Sequence, residues 1–359
     1  MRQRKNAQDE LVTPEHALET HATWHMARRV RYTCPHVNFS PSIYEHAAAI
    51  IGRSPWDVSR DADLMFRAHL EAYRTYGHSP VVVGIDIYNL EAEAYGGTTD
   101  RPDGNGIPAI REPVFMSVTD IDRVPLLDPE SSGRIPMIID VGVRLKGAIT
   151  EADVCIPVSG PFSIACNLAG FETLLTECIT DPDSVRAALD HLVDGQLDFV
   201  EEIHRNGLGV TLFDSGSSPP MVSPAIFREV VFPSLKKLVT GTSEITGDTV
   251  ALIIGGDTYP ILDEILATGA GFIICPSETD QASFMKKMND HPTVMVRVNM
   301  SASIVAGGTW EECRDEALRT YEVAGNHSNA LIGTGVLPYE TSPEKVHGIS
   351  GFLREKMKE

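Results

Sequence analysis

Along most of the chain, short runs of consecutive apolar residues alternate with longer stretches in which apolar residues recur every three or four positions. The runs "TCPHVNF", "VVVGIDI", "PMIIDVG", "VCIPVSG", "GVTLFDS", "VALIIGG", "GFIICPS", "TVMVRVN" and "NALIGTG" read as strands. They are continuous rather than alternating, as expected of parallel strands covered on both faces. Between them, "DADLMFRAHLEAYRTYG", "DPDSVRAALDHLVDGQLDFVEEIHRNG", "SPAIFREVVFPSLKKLVTG", "YPILDEILATG", "DQASFMKKMNDH" and "TWEECRDEALRTYEVAG" read as helices. Gly77, Gly207, Gly241, Gly269 and Gly325 offer left-handed stops, and Ser223–Pro224 offers a cap followed by a first-turn proline. Thr13–Pro14 offers the same pair at the head of "TPEHALETHATWHMARR".

Strand and helix alternate to the end of the sequence with no break in composition. The pattern predicts an α/β fold, a single (β/α)8 TIM barrel with an N-terminal helical extension. Residues 1–29 form the arm and helix in this reading, and residues 30–359 the barrel. A doubly wound open sheet is the rival, and it would leave a second domain to find. The stretch "AYGGTTDRPDGNGIPAIREP" reads as a long Gly/Pro-rich loop after the second strand, over the mouth of the barrel.

Charge narrows the function classes. Lys and Arg number 30 against 50 Asp and Glu, a net charge of -20. Such a surface repels phosphate backbones and anionic lipid heads, so neither nucleic acid nor membrane is an expected partner. The six cysteines (Cys34, Cys155, Cys166, Cys178, Cys275, Cys313) form no CxxC pair and read as buried thiols of a reducing compartment. With no apolar leader and no run long enough to span a bilayer, a cytoplasmic protein is expected.

In a parallel barrel, chemistry collects at the C-terminal ends of the strands. Those ends carry His36 and Asn38, then Asp86 with Tyr88 and Asn89, then Asp140, then Ser159 and Asn167. The second half adds Asp214 with Ser215, Asp257 with Thr258, Glu278 with Asp280, Asn299, and Thr334 with Tyr339. Acids and carboxamides dominate. Arg144 and Arg297 are the cations nearby, and each is equally able to pair with a structural acid. Asp86 reads equally as a loop-pinning carboxylate, Asp214–Ser215 as part of a polar loop, and His36 and His78 as structural histidines. The strand–glycine–helix segment "ALIIGGDTYP" completes neither GxGxxG nor a P-loop, since no Lys-Ser/Thr follows. Neither GxSxG nor HExxH occurs.

Four segments in order resemble the uroporphyrinogen decarboxylase superfamily, in particular its corrinoid-dependent methyltransferase branch. They are "GIDIYNLEAEAYGG", "VSGPFSIACNLAGFETLLTECITDPDSVRAALDHL", "FDSGSSPPMVSPAIFREVVFPSLKKL" and "IGTGVLPYETSPEKV". The Arg-rich substrate motif of the decarboxylases is missing from "YTCPHVNFSPSIY", a tyrosine of theirs falls on Asn167, and a late histidine on about Gly335. The branch that methylates thiols holds zinc by His-x-Cys and a later Cys, and the matching positions here are Ile253, Gly255 and Val336. Those side chains offer zinc nothing, so zinc is not expected at the usual family site.

The resemblance therefore implies the other half-reaction: removal of a methyl group from a small O-methyl (methoxyarene-like) or N-methyl donor and its transfer to a Co(I) corrinoid. The cobalamin would be carried by a partner protein in trans, and a homodimer is a further partner to consider. Asp86, Asp214, Asp257 and Glu278 would be the catalytic carboxylates. Substrate would meet His36, Asn38, Tyr88, Asn89, Asn167, Ser215, Asn299 and Tyr339, with Gly255 and Gly256 leaving room for the corrinoid face. A carboxylate zinc pattern, E-x14-E-x20-H, has only Asp263, Glu278 and Asn299 at its spacing. A small-acid decarboxylase or lyase on the same barrel, and a non-catalytic ligand-binding homologue, are the alternatives.

Overall fold

The structure is a computed structural model that describes residues 39–325 and 327–357. The expected N-terminal helix and its Thr13 cap, with Cys34, His36 and Asn38, lie outside the described residues. In chain order the strands are β1 (Phe39–Ser42), β2 (Val81–Val82), β3 (Thr99–Asp100), β4 (Ala109–Ile110), β5 (Val154–Ser159), β6 (Gly209–Phe213), β7 (Ala251–Ile253), β8 (Phe272–Cys275), β9 (Met295–Met300) and β10 (Ala330–Val336). Eight of them form one sheet in the order β1-β10-β9-β8-β7-β6-β5-β2. Every pair in it is parallel. The Ser40 hydroxyl on β1 donates to the Ser79 carbonyl just before β2, at 3.0 Å, joining the two ends of the sheet. The long Gly/Pro-rich loop carries the antiparallel hairpin β3–β4.

The continuous apolar runs are explained by burial on both faces. Val81, Ile156, Val158, Leu212, Leu252, Ile273, Val296, Val298 and Ile332 point outward into the main core with the helices. Their neighbours Val82, Cys155, Phe213, Ala251, Phe272, Ile274 and Leu331 fill the lumen in two smaller clusters. Period-two alternation is thus present, but between two apolar environments rather than between core and water.

The expected helices form, with their caps. Asp61 accepts from two amides of Ala62–Tyr76, Ser223 accepts from Ile226 N at 3.2 Å, and Thr309 and Glu312 form a reciprocal capping box. The long run after Ser223 is not uniform. It passes from Pro224–Ile226 through a π turn at Phe227–Val231 into Phe232–Thr246. Pro233 has no amide hydrogen to give, and the wider turn before it absorbs the missing bond.

Four sequence expectations are corrected. "PMIIDVG" is not a strand but part of the helix Ile135–Ala148, whose buried Ile135, Ile138, Ile139, Gly142 and Leu145 keep helical period. Asp140 is consequently on an exposed helix face, 3.5 Å from Arg144, and not at a strand end. In "VVVGIDI" only Val81 and Val82 join the ladder. Gly241 does not stop its helix: it lies mid-helix where a Cβ would come within 2.8 Å of Leu197, and the left-handed stop is Gly247 (φ 64°). The pattern did not separate the helices Pro161–Ala169 and Phe171–Thr180 from their surroundings, and the first of them, directly after β5, carries part of the site.

Candidate active site

Asp214 is the first residue past β6 and is fully buried. Its Oδ1 accepts from the amide and the hydroxyl of Ser163, at 2.9 and 2.7 Å, in the first turn of Pro161–Ala169. Among the described residues, its Oδ2 has no hydrogen-bond partner. The approach is close enough that a Cβ on Gly160 would lie 2.1 Å from Asp214 Cγ. Glycine is obligatory at that position on steric grounds alone. Burial pushes the Asp214 carboxyl up to about 6, against the downward pull of the Ser163 hydrogen bonds. Near neutrality this group therefore holds its proton far more readily than an ordinary aspartate.

Beside it, Tyr88 and Ser215 are joined. The Tyr88 hydroxyl donates to Ser215 Oγ at 2.8 Å, and Ser215 Oγ also accepts from Gly255 N at 2.9 Å. Asn167 holds the Tyr88 carbonyl at 2.7 Å, and the Tyr88 ring meets Phe213 edge-on, with centroids 6.3 Å apart. Burial pushes the Tyr88 phenol up to about 12, so it stays neutral. Four sequence-named positions (Tyr88, Asn167, Ser215 and Gly255) thus converge with Asp214 on one side of the mouth.

The other named residues divide into mouth and scaffold. Asp257 is half-buried past β7, where the Thr279 hydroxyl donates to its Oδ1 at 2.7 Å. Glu278 is exposed past β8. Gly256 does not open space beside Asp257: a Cβ there would meet Ser218 Oγ at 2.6 Å and the Pro219 carbonyl at 2.9 Å. Its φ of 85° and that close approach explain the glycine. Asp86 is gripped by Arg134 through two parallel hydrogen bonds of 2.8 and 2.7 Å, and Arg134 continues to Glu93, which Arg60 also meets. Asn89 bonds Asp86 at 3.0 Å and the Pro108 carbonyl at 2.8 Å, tying the long loop to this network. Asn299 Oδ1 accepts from Arg297 Nε at 3.0 Å, inside the barrel. Tyr339 packs against the core between barrel and helices.

Asp263 faces out and pairs with Lys287 at 2.6 Å, so the spacing Asp263–Glu278–Asn299 corresponds to no common ligand set. Among the described residues, no group of three or more His, Cys, Asp or Glu is placed to hold a metal ion. The residues at 253, 255 and 336 do not fit zinc, having no donor side chain.

Sequence reasoning did not single out Glu91, Arg134 or Ser163 as site residues. Glu91 is fully buried and accepts from the amide and hydroxyl of Ser159, at 2.7 and 2.8 Å. Burial pushes its carboxyl up to about 7. Both glutamates of "EAEA" proved to be anchors, Glu91 to β5 and Glu93 to Arg134. A run of four helix-forming residues in a Gly-rich region was the available signal.

Comparison with known proteins places the chain. The sequence profile described as uroporphyrinogen decarboxylase (URO-D) matches residues 26–355. The chain belongs to the uroporphyrinogen decarboxylase family. Within the family, a methylated-thiol–coenzyme M methyltransferase of Methanosarcina mazei is 27% identical over 213 residues, 58% of this chain and 55% of the relative. The match thus spans little more than half of that relative's length. A uroporphyrinogen decarboxylase of Prochlorococcus marinus is 21% identical over 78% of this chain and 79% of its own. Among solved structures, a methyltransferase from Methanosarcina mazei superposes with a TM-score of 0.75 at 17% identity, covering 89% of this chain and 93% of that one. A B12-independent methionine synthase from Shewanella gives 0.54 at 11% identity, over 83% and 87%. These likenesses establish the barrel fold.

Two outcomes follow for stability. Arg134→Met leaves the carboxylates of Asp86 and Glu93 facing each other without their shared partner. A loss of about 3–5 kcal/mol is expected in chemical denaturation. For Asp214, the folded value of about 6 stands above the ordinary 3.8, so folding takes up a proton between those limits. Stability from the neutral form is complete below 3.8 and lost as pH rises through about 6. Asp214→Asn should therefore equal wild type at low pH and exceed it above about 6, by up to about 3 kcal/mol. Urea titrations at pH 4 and pH 8 check the crossover.

Proposed function

We propose that this chain is a methyltransferase that takes a methyl group from a small O-methyl or N-methyl donor and delivers it to a corrinoid carried by a separate protein. The observation that carries the reading is Asp214, a buried acid with one oxygen unpartnered, beside the Tyr88–Ser215 hydroxyl pair at the mouth. Family membership and the methyltransferase relatives support methyl transfer as the reaction class.

In its Co(I) state the corrinoid supplies the nucleophile that accepts the methyl group. What this chain must supply is a dry seat for the donor and a proton for the leaving atom. As the O–CH3 bond breaks, the electron pair stays on oxygen, and Asp214 gives its proton there. The resulting carboxylate recovers a proton from solvent. Ser215 and Tyr88 offer hydroxyls to orient the donor, and Asn167 fixes Tyr88 by its carbonyl. A quaternary amine donor leaves without protonation, and for it the half-buried Asp257 and the exposed Glu278 provide counter-charge.

No step is assigned to zinc, because Ile253, Gly255 and Val336 present no ligand atoms. The rim suits a large apolar partner face. Met221 and Tyr259, past the ends of β6 and β7, and Val336, the last residue of β10, are 62%, 39% and 45% exposed.

Incubation with a Co(I) corrinoid protein and a panel of methoxyarenes and methylamines should give a methyl-cobalt spectrum with at least one donor. Silence across both donor classes would sink the reading. With an ether donor, the turnover rate should fall as pH rises through about 6, the range in which Asp214 loses its proton. Asp214→Asn should lower kcat about 100-fold and flatten that profile, with KM little changed.

A further inference from the structure

Among the described residues, Arg297 is a buried cation without an anion. It projects from β9 into the lumen, only 9% exposed, and the hydrogen bond it forms with them runs from Nε to the uncharged Asn299. Among the described residues it forms no ion pair, whereas Arg134, Arg144, Arg228 and Arg319 each meet a carboxylate. Its stem lies across Gly333 on β10, where a Cβ would sit 2.4 Å from Arg297 Cδ. The barrel thus keeps a glycine where the arginine crosses.

A guanidinium cannot shed its proton, and an unpaired charge taken out of water is costly. The cavity around it is lined in part by Tyr44, His78, Thr211 and Ile253. Tyr44 is buried, and the charge of Arg297 acts on its phenol. Among the described residues, the hydroxyl of buried Thr211 lacks a partner apart from the weakly polar Cys155 thiol beside it. His78 Nδ1 is likewise unpartnered, and burial keeps that ring neutral. Donor groups therefore converge on this cavity with no carboxylate among them.

We propose that the lumen cavity at Arg297 binds a singly charged oxyacid head group, a carboxylate or a sulfonate, on the substrate. The planar guanidinium fork matches such a group through paired N–H···O bonds, with Tyr44 and Thr211 able to donate to the remaining lone pairs. The cavity adjoins the mouth: Tyr44 meets Phe213 edge-on at 5.9 Å, and Tyr88 meets the same ring from its other contact. Thr211 on β6 and Asp214, the first residue past it, are three residues apart, roughly 10 Å along an extended chain. A small donor with its acid head at Arg297 would thus present its methyl end near Asp214. The inference supplies the substrate class for the methyl transfer proposed above and rests on that reading for its chemistry, although the binding itself does not.

Calorimetric titration of sodium acetate and of sodium methanesulfonate into the full chain, in low-salt buffer without corrinoid or methyl donor, tests it. Saturable binding of one or both is expected, and the stronger of the two identifies the head group. Arg297→Met should weaken that binding by at least about tenfold, while Arg297→Lys retains part of it. Wild-type protein that binds neither anion overturns the site, whatever the variants do, and so does an Arg297→Met protein, folded by circular dichroism, that binds as wild type. Anion binding without any methyl-cobalt signal would leave this site standing and remove the methyl-transfer reading. The opposite result would remove only the site.

Discussion

The contact between the Asp214 carboxyl and the bare Cα of Gly160 sets the geometry of the mouth. It brings the end of β6 against the end of β5, closer than any side chain on residue 160 would allow. The helix that starts at Pro161 is then aimed so that the Ser163 amide and hydroxyl meet Asp214. One turn later the same helix delivers Asn167 to the Tyr88 carbonyl. Tyr88 in turn reaches Ser215, and Ser215 holds the amide of Gly255. A single close approach is thereby transmitted through β2, β5, β6 and β7. Nothing in that chain of contacts is an ion pair, so the arrangement does not depend on ionic strength.

Charge is kept apart by depth. The surface is strongly acidic, and exposed Glu278 and half-buried Asp257 continue that field to the rim. Deeper carboxyls are handled in two different ways. Asp86 and Glu93 share Arg134, and the Glu93 carboxyl is held below its usual value by that guanidinium despite burial. Glu91 and Asp214 have only amide and hydroxyl partners, and burial raises both. Two acids of the short helix Leu90–Ala94, Glu91 and Glu93, are thus driven in opposite directions by their partners.

Much of the barrel was legible, because a strand covered on both faces leaves a continuous apolar run and a capped helix leaves Ser, Thr or Asp before its first turn. "PMIIDVG" misled because four apolar residues in a row satisfy either reading, and only Gly142 and Leu145 beyond them restore the helical period. The site was legible in part, since position at a strand end selects candidates without saying where the side chain turns. Asp86 and Asp214 look alike in sequence, yet one is committed to Arg134 and the other keeps an oxygen unpartnered. That difference lies in residues far along the chain, Arg134 for the first and Gly160 with Ser163 for the second. Arg297 and Arg144 were likewise indistinguishable as cations. Contact with Asp63 and Asp140 removes Arg144 from consideration, and the lumen isolates Arg297.

The lack of a zinc-binding side chain at position 253 and the raised pKa of Asp214 meet at one place, for the Asp214 amide donates to the Ile253 carbonyl at 3.1 Å. A thiolate-activating metal site needs polar ligands and an open coordination position at the strand end. Here position 253 is an isoleucine packed with Tyr44, Val82, Phe213 and Tyr88, which removes water from that side of the mouth. Dehydration is the leading cause of the upward shift at Asp214. The apolar lining at position 253 offers a metal nothing and adjoins a carboxyl whose burial makes it a weaker acid than an ordinary aspartate.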